Sequence, residues 1–545
     1  MTRIDVKSAR RYRALIGILC FVATQLLFSP ANSAVSQEAN LRAAVQAAVQ
    51  HTADPEILAL YQKHDFQPFW YGETQSEARI SLFTELRRRP FYGIPDDQDC
   101  VALTKPGAVF WRGLADADVA LSACLLRMRT SIALGVVPKE TLGPDWFFNG
   151  SAPNLADDDL DDIRHAHIRD LLSRASPPSA EYAALQAALA FYMDIDAKGG
   201  WPASHSTSEI LLDGTDPRAS LLRDRLSVEG YISRDVIELE ALRSAVRNFQ
   251  TDHGLVPDSR IGKQTVAALN VTAADRVGQI AVNMERWRHV PRSFGSSYVE
   301  VNVADATLSV VQNAEKTVHM RTIVGDMRHP TPAFQATITA ITFNPSWTVP
   351  SSIAMKEILP KLRRNPKYLL ENEIEILDRP SDPFGLDVDW RHTPPSRFGY
   401  RLRQRPGSKN SLGLIKFEMA NPFDVYLHDT PAKALFALPR RGLSHGCIRV
   451  ESPQTLALRL LPNHSPEEIG EAIAKGTTTT MPLAQPLPVY VMYWTAFLGE
   501  DGHVNFRDDL YGRDTAIAHV LKYNYSPRPL AANQLINIDN CLSTS

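Results

Sequence analysis

The chain has 545 residues, 44% of them apolar, with a formal charge of −3 and a pI near 6.6. That length calls for several domains, and the apolar content excludes a globally disordered chain. No broad basic field exists to hold nucleic acid, so that partner class is set aside.

Arg10, Arg11 and Arg13 precede an apolar run, Ala14–Phe28, followed by the small residues Ala31, Ser33 and Ala34. This is the three-part layout of a secretory signal, over residues 1–34. The run has 15 residues, short of the ~20 a spanning helix needs; left uncleaved, it would tether the protein to the inner membrane. No lipid-attachment triplet precedes Cys20, and no other stretch reads as apolar enough to cross a bilayer. The exported, periplasmic chain would keep Cys100, Cys124, Cys447 and Cys541 in a compartment that allows disulfides. Four cysteines are too few for a disulfide scaffold. If Cys100 and Cys124 pair, Cys447 is left as a free thiol or as the partner of Cys541.

The expected architecture is multidomain α+β. Residues 40–225 read as a helical scaffold, from alanine-rich Glu38–Gln50 to Glu181–Met193, where apolar residues recur at helical spacing. Acidic 155–162 and proline-containing 173–180 read as surface loops. No catalytic constellation stands out in this part. Residues 229–271 form a small helical module: Leu242, Ala245, Val246 and Phe249 share one helix face, a turn-rich link follows, and Thr265–Leu269 starts a second helix. From about 297 to 500, Val, Ile and Thr in partial alternation predict strands. Within that domain 354–379 reads as helical and charged, and 354–410 as an insertion hanging off the sheet. Residues 501–545 form a C-terminal extension with no role assigned to its tail.

"GLSHGCIRVESP", Gly442–Pro453, carries Cys447. Three chemistries compete for it. A zinc site would draw on His428, His445 and Cys447, but there is no C-x-x-C pair and the spacing is poor. A small buried cysteine is the plain alternative. A nucleophile needs a base, a positive neighbour or a helix N-terminus close by. Here Ser452 and Pro453 open a helix, His428 ends a predicted strand 19 residues upstream, and Gly446 would let backbone N–H groups approach a substrate carbonyl.

Two resemblances sharpen this reading. "AVRNFQ", "GLVPDSRIG" and "TVAALN" resemble the peptidoglycan-binding-type-1 module, with Ser259 where that family has glycine. "HDTPAKALFALPRRGLSHGCIRV" resembles the signature of the L,D-transpeptidase (YkuD-type) catalytic domain. The order of parts resembles the large periplasmic subgroup of that family: signal or anchor, helical scaffold, peptidoglycan-binding module, and a β-rich catalytic domain with an inserted capping subdomain. "FNPSWTVP" and "YWTAFLGEDGHVNFRDDLYGRD" are similar to segments of that subgroup.

The resemblance implies Cys447 as nucleophile and His428 as general base, oriented by the Asp429 carbonyl. It implies backbone amides of Gly446 and Cys447 as the oxyanion site, with Ser444 and His445 shaping the loop. Arg449 would hold a stem-peptide carboxylate or pack the loop; Tyr426 and Trp347 would line the cleft or pack the core. Neither cofactor nor metal is implied. The implied partners are peptidoglycan stem peptides and glycan, together with cell-wall synthesis proteins. The implied reaction is formation of 3→3 cross-links with release of D-alanine, open to acylation by carbapenems. The alternatives are an L,D-carboxypeptidase or endopeptidase on stem peptides, and a non-catalytic wall-binding protein.

Overall fold

The computed structural model describes residues 30–525, apart from 73–74, 106, 109–111, 154–156, 202–209, 211, 213–215, 217 and 524. The basic and apolar start of the signal-type segment and Cys541 lie outside the described residues. The described residues fall into two compact units. One is drawn from Met1–Arg89, Asp96–Thr130 and Asn154–Ser173, the other from Pro90–Pro95, Ser131–Pro153 and Arg174–Ser545.

The first unit is helical. Its core helix, Leu114–Leu134, buries Leu121, Leu125 and Met128. Asp118 on that helix is fully buried and accepts from the Tyr61 hydroxyl and from the backbone N–H groups of Phe69, Trp70 and Tyr71, at 2.5–3.1 Å. Contrary to the sequence reading, Leu114–Leu142 is long and apolar enough to cross a membrane; its burial and the Asp118 network are those of a core helix. Cys100 and Cys124 are disulfide-bonded. The acidic stretch expected as a loop is helical from Asp157 to Arg164. Leu160 and Ile163, three residues apart, turn one face inward, and buried Asp159 lies 3.7 Å from Arg129.

The second unit begins its own work earlier than the sequence reading placed it. The Arg218–Val228 helix shares a core with the Leu239–Asp252 and Lys263–Leu269 helices, through Leu222, Leu226, Leu242, Phe249, Val266 and Leu269. It therefore belongs with the small module rather than with the scaffold. Ser259 takes the left-handed conformation (φ +62°) that glycine usually supplies. Its N–H donates to Gln250 and its hydroxyl to the Arg243 carbonyl, which offsets the strain.

The next helix, Ala273–Arg288, opens with a Thr272/Asp275 capping box and is buried over nearly its whole length. It packs against the Ala180–Ala197 and Asp514–Val520 helices. Arg286 and Asp514, both fully buried, meet at 2.7 Å. The first part of the C-terminal extension is thus core structure.

The catalytic-type domain contains β1 (Tyr298–Asn302), β2 (Thr307–Gln312), β3 (Glu315–Gly325), β4 (Phe334–Phe343), β5 (Trp347–Thr348), β6 (Ile374–Ile376), β7 (Leu402–Gln404), β8 (Ile415–Met419), β9 (Leu427–His428), β10 (Gly442–Ser444), β11 (Ile448–Val450) and β12 (Thr479–Met492). Nine of them form one sheet in the order β10-β3-β11-β9-β8-β4-β12-β1-β2, and β2 pairs again with β3. The sheet thereby closes around a core that includes Val299, Leu308, Ile338, Phe417, Leu427 and Ile448.

The insertion is not helical throughout 354–379, as the sequence reading had it. Its helices, Ser351–Arg364 with a π-helical turn at Ala354–Ile358, and Tyr368–Glu371, pack on a sheet of β5, β7 and β6. Ile374 and Ile376, read as part of a helix, are inward residues of β6, and Ile358, Leu362, Trp390 and Leu402 complete a separate core. Alternating Ile374/Ile376 outweighs the helical propensity of the surrounding glutamates once an inward face is available.

Replacing Arg286 with Ala leaves Asp514 buried without its cation, and should cost about 3–5 kcal/mol. A urea midpoint for the second unit equal to that of the parent chain would refute this role.

Candidate active site

β9 and β11 lie side by side in parallel, with Ile448 opposite Leu427 and Arg449 opposite His428. The Ile448 N–H donates to the Tyr426 carbonyl at 3.1 Å. Cys447, one residue before β11, is therefore set at the strand end beside Tyr426. It is a free thiol, partly exposed. Its Sγ donates toward the Asp424 carbonyl at 3.6 Å, and the neighbouring Tyr426 acts on the thiol to lower its pKa. Asp424 adopts φ +53°, a left-handed conformation that Asp tolerates. Asn421 braces that turn by accepting from the Phe423 N–H and donating to the Val425 carbonyl.

His428 is buried. Its Nδ1 lies 2.5 Å from the Asp429 carbonyl and also hydrogen-bonds the Leu412 carbonyl. A nitrogen facing carbonyl oxygens carries the proton, which assigns Nε2 as the proton acceptor. Burial, and then the nearby Arg449 charge, push the ring pKa down to about 3, so the imidazole is neutral at pH 7. No hydrogen bond joins this ring to Cys447 in the resting geometry. The Asp429 carboxylate works one layer out: Oδ2 accepts from the Leu414 N–H at 2.8 Å and Oδ1 meets Lys433 at 2.7 Å. A Cβ on Gly413 (φ +62°) would stand 2.3 Å from Oδ2, so only glycine lets the turn bearing Leu412 close against Asp429.

The nucleophile loop is tightly braced. The Ser444 hydroxyl donates to the Cys447 carbonyl at 2.5 Å and accepts from the Gly446 N–H at 3.1 Å. Thr331 donates to the Gly446 carbonyl at 2.8 Å and accepts from the Gly325 N–H at 2.9 Å. Tyr511 backs Thr331, accepting its N–H and donating to the Gly325 carbonyl. One expectation changes here. The Gly446 amide is occupied by Ser444, so it is not an open oxyanion donor; the Cys447 N–H has no hydrogen-bond partner among the described residues.

This loop and its histidine lie inside a region, residues 296–481, that matches the profile described as the L,D-transpeptidase catalytic domain, YkuD. The C-terminal domain belongs to the YkuD family of L,D-transpeptidase catalytic domains. Two more matches flank it, a scaffold domain over residues 55–189 and a domain described as "Putative peptidoglycan binding domain" over 215–269. A Haemophilus influenzae protein named "Putative L,D-transpeptidase" is 28% identical over 393 residues, covering 69% of this chain and 76% of its own. Among solved structures, an L,D-transpeptidase from Mycobacterium smegmatis is 14% identical (TM-score 0.17, 36% of this chain and 58% of that one). L,D-transpeptidase 3 from Mycobacterium tuberculosis is 13% identical (TM-score 0.18, 36% and 61%). The chain spans less than two thirds of the length of either, and likeness at those scores bears on nothing further.

Around the YkuD-type loop the remaining residues divide by contact. Arg449 is half-buried, and its Nε has no hydrogen-bond partner among the described residues. Its charge acts on both His428 and Cys447. Trp347, at the root of the insertion, neighbours Tyr426, and Lys416 lies 4.6 Å over the Tyr426 ring. His445 points away from the sulfur's partners, to Glu357 at 2.5 Å. His428, His445 and Cys447 do not converge as metal donors. Among the described residues, the donor atoms that lie within 4.8 Å of one another belong to Asp252, Asp501 and His503, in another part of the unit. Thr331 and Glu357, which touch the loop, and Tyr511, which backs Thr331, escaped the sequence reading, since each sits far along the chain from its partner.

Burial raises the Cys447 pKa, and the contacts from Tyr426 and Arg449 oppose that only in part. The resting pair is therefore neutral thiol and neutral imidazole. Alkylation of Cys447 by iodoacetamide should climb about tenfold per pH unit through pH 8.5. A plateau already reached at pH 6–7 would instead mean a preformed thiolate–imidazolium pair. Because the unfolded chain restores the His428 pKa toward 6.5, the folded state takes up fewer protons between about 3 and 6.5, and His428 contributes a loss of stability as pH falls through that window.

Proposed function

We propose that the protein is a peptidoglycan L,D-transpeptidase, acting outside the cytoplasm, that forms 3→3 cross-links through a Cys447 acyl-enzyme. The observation that carries this is a free thiol with an unpartnered backbone N–H, set on the strand next to a neutral histidine whose Nδ1 is locked to carbonyls. The family match supplies the class of substrate.

Cys447 Sγ attacks the carbonyl carbon of the third residue of a donor tetrapeptide stem. As the C–S bond forms, the thiol proton passes to His428 Nε2. The amide C–N bond to D-alanine then breaks, and His428 returns the proton to the leaving amine. The Cys447 N–H and the adjacent Tyr426 donors stabilise charge on the oxygen and the sulfur. The amine of a second stem's third residue next attacks the thioester: a C–N bond forms, the C–S bond breaks, and the amine proton reaches Sγ through His428. Arg449 fits a stem carboxylate, because a half-buried guanidinium whose Nε lacks a partner among the described residues gains from an anion. Trp347 and Tyr426 form the wall nearest the sulfur.

The test is mass spectrometry of products from purified disaccharide-tetrapeptide. The expected product is a dimer lacking one D-alanine, absent with Cys447→Ala and reduced by about 10²–10⁴ with His428→Ala. A carbapenem should add its mass to Cys447. Tripeptide as the sole product would make the protein an L,D-carboxypeptidase; neither product nor adduct would leave a wall-binding protein.

A further inference from the structure

The cap touches the nucleophile loop through one charged contact. Glu357 Oε1 lies 2.5 Å from His445 Nε2, and His445 is two residues from Cys447. Glu357 stands in the π-helical turn Ala354–Ile358, set between α-helical Ser351–Ile353 and Leu359–Arg364. Single π turns inside α-helices recur at functional sites because they re-aim the side chains they carry. The opposite side of the His445 ring is held by His329, 4.7 Å away, and His329 is pinned in turn by Asp326 at 3.0 Å. The titratable and charged groups facing Glu357 are thus His445, His329 and Lys361; the hydrogen bond from the first of these does most to hold its carboxyl below the usual range and ionised.

Nothing between His445 and Cys447 can absorb a shift. Gly446 is fixed at both its N–H, by Ser444, and its carbonyl, by Thr331. The root of the cap is tied separately, by Asn410 to the Pro345 carbonyl at 3.0 Å and to the Arg405 carbonyl at 2.8 Å. The cap therefore has a fixed stem and one ionic tip contact, and both contact side chains are 39% exposed, so the tip is the contact open to release.

We propose that Glu357 is a positioning residue that latches the cap onto the nucleophile loop and thereby sets how the acyl-enzyme divides between an amine acceptor and water. This rests on the transpeptidase reading above. In both outcomes the thioester C–S bond breaks and Sγ regains a proton; a C–N bond forms with the amine, or a C–O bond with water. A latched cap keeps water from the thioester while the amine is held, and a released cap admits water.

The experiment uses the full chain with disaccharide-tetrapeptide, and reads the ratio of cross-linked dimer to tripeptide for the parent, Glu357→Ala, Glu357→Gln and Glu357→Asp. A ratio of products is independent of the fraction of protein that is folded. The expected result is a fall of about tenfold or more for Ala and Gln, with Asp, which keeps the charge, recovering most of it. A ratio within about twofold of the parent in the Ala variant overturns the latch and leaves the transpeptidase reading intact. Variants that melt like the parent but form neither product also overturn it, because a latch redirects the acyl-enzyme rather than preventing it. A parent chain that makes only tripeptide, or takes no carbapenem on Cys447, removes the transpeptidase reading and the latch with it.

Discussion

The parallel register of β9 against β11 is the constraint on which the site depends. It sets Arg449 opposite His428 and leaves Cys447 at the mouth of the pair, beside Tyr426. Two strands this short would not hold a register alone. They hold it here because β3 and β8 flank them in a closed sheet whose inward residues, Leu427 and Ile448 among them, are fully buried. A slip of one residue would turn those side chains out and exchange His428 for a core position.

The electrostatics follow from that burial. A dry histidine next to a guanidinium is held neutral, and a half-buried cysteine is held as the thiol. The site thus stores no ion pair at rest. Charge arises when substrate arrives, at a place where one backbone N–H, the Tyr426 donors and Arg449 are already aimed. Donors that are fixed beforehand lose nothing to reorganisation at the moment of reaction. The bracing of the loop by Ser444, Thr331 and Tyr511 is what fixes them, and it explains why the Gly446 amide is spent on structure.

The cap adds a second level of control. It has its own core and its own small sheet, so it can move as a body. Its ties to the catalytic domain are few and unequal: buried hydrogen bonds at the stem and a half-exposed ion pair at the tip. That inequality is the physical basis for a hinge at one end and a latch at the other.

What could be read from the sequence was local. The helical scaffold and the module showed in apolar spacing, the strands in runs of Val, Ile and Thr, and the chemistry in one histidine and one S-H-G-C stretch. These patterns survive in a linear chain because 3.6-fold and twofold periodicities, and a tight glycine loop, are short-range properties. The tertiary structure alone decided the rest. It turned the acidic 157–164 segment into a helix through Leu160 and Ile163, made Ile374 and Ile376 a strand, and moved the Arg218–Val228 helix into the module. It also brought Thr331 to Gly446, 115 residues on, and Glu357 to His445, 88 residues on, with Tyr511 set behind Thr331. Such contacts leave no trace in spacing or composition, because which side chain satisfies a buried amide or faces a histidine is set by the closure of the sheet and the return of the chain, and not by its neighbours in sequence.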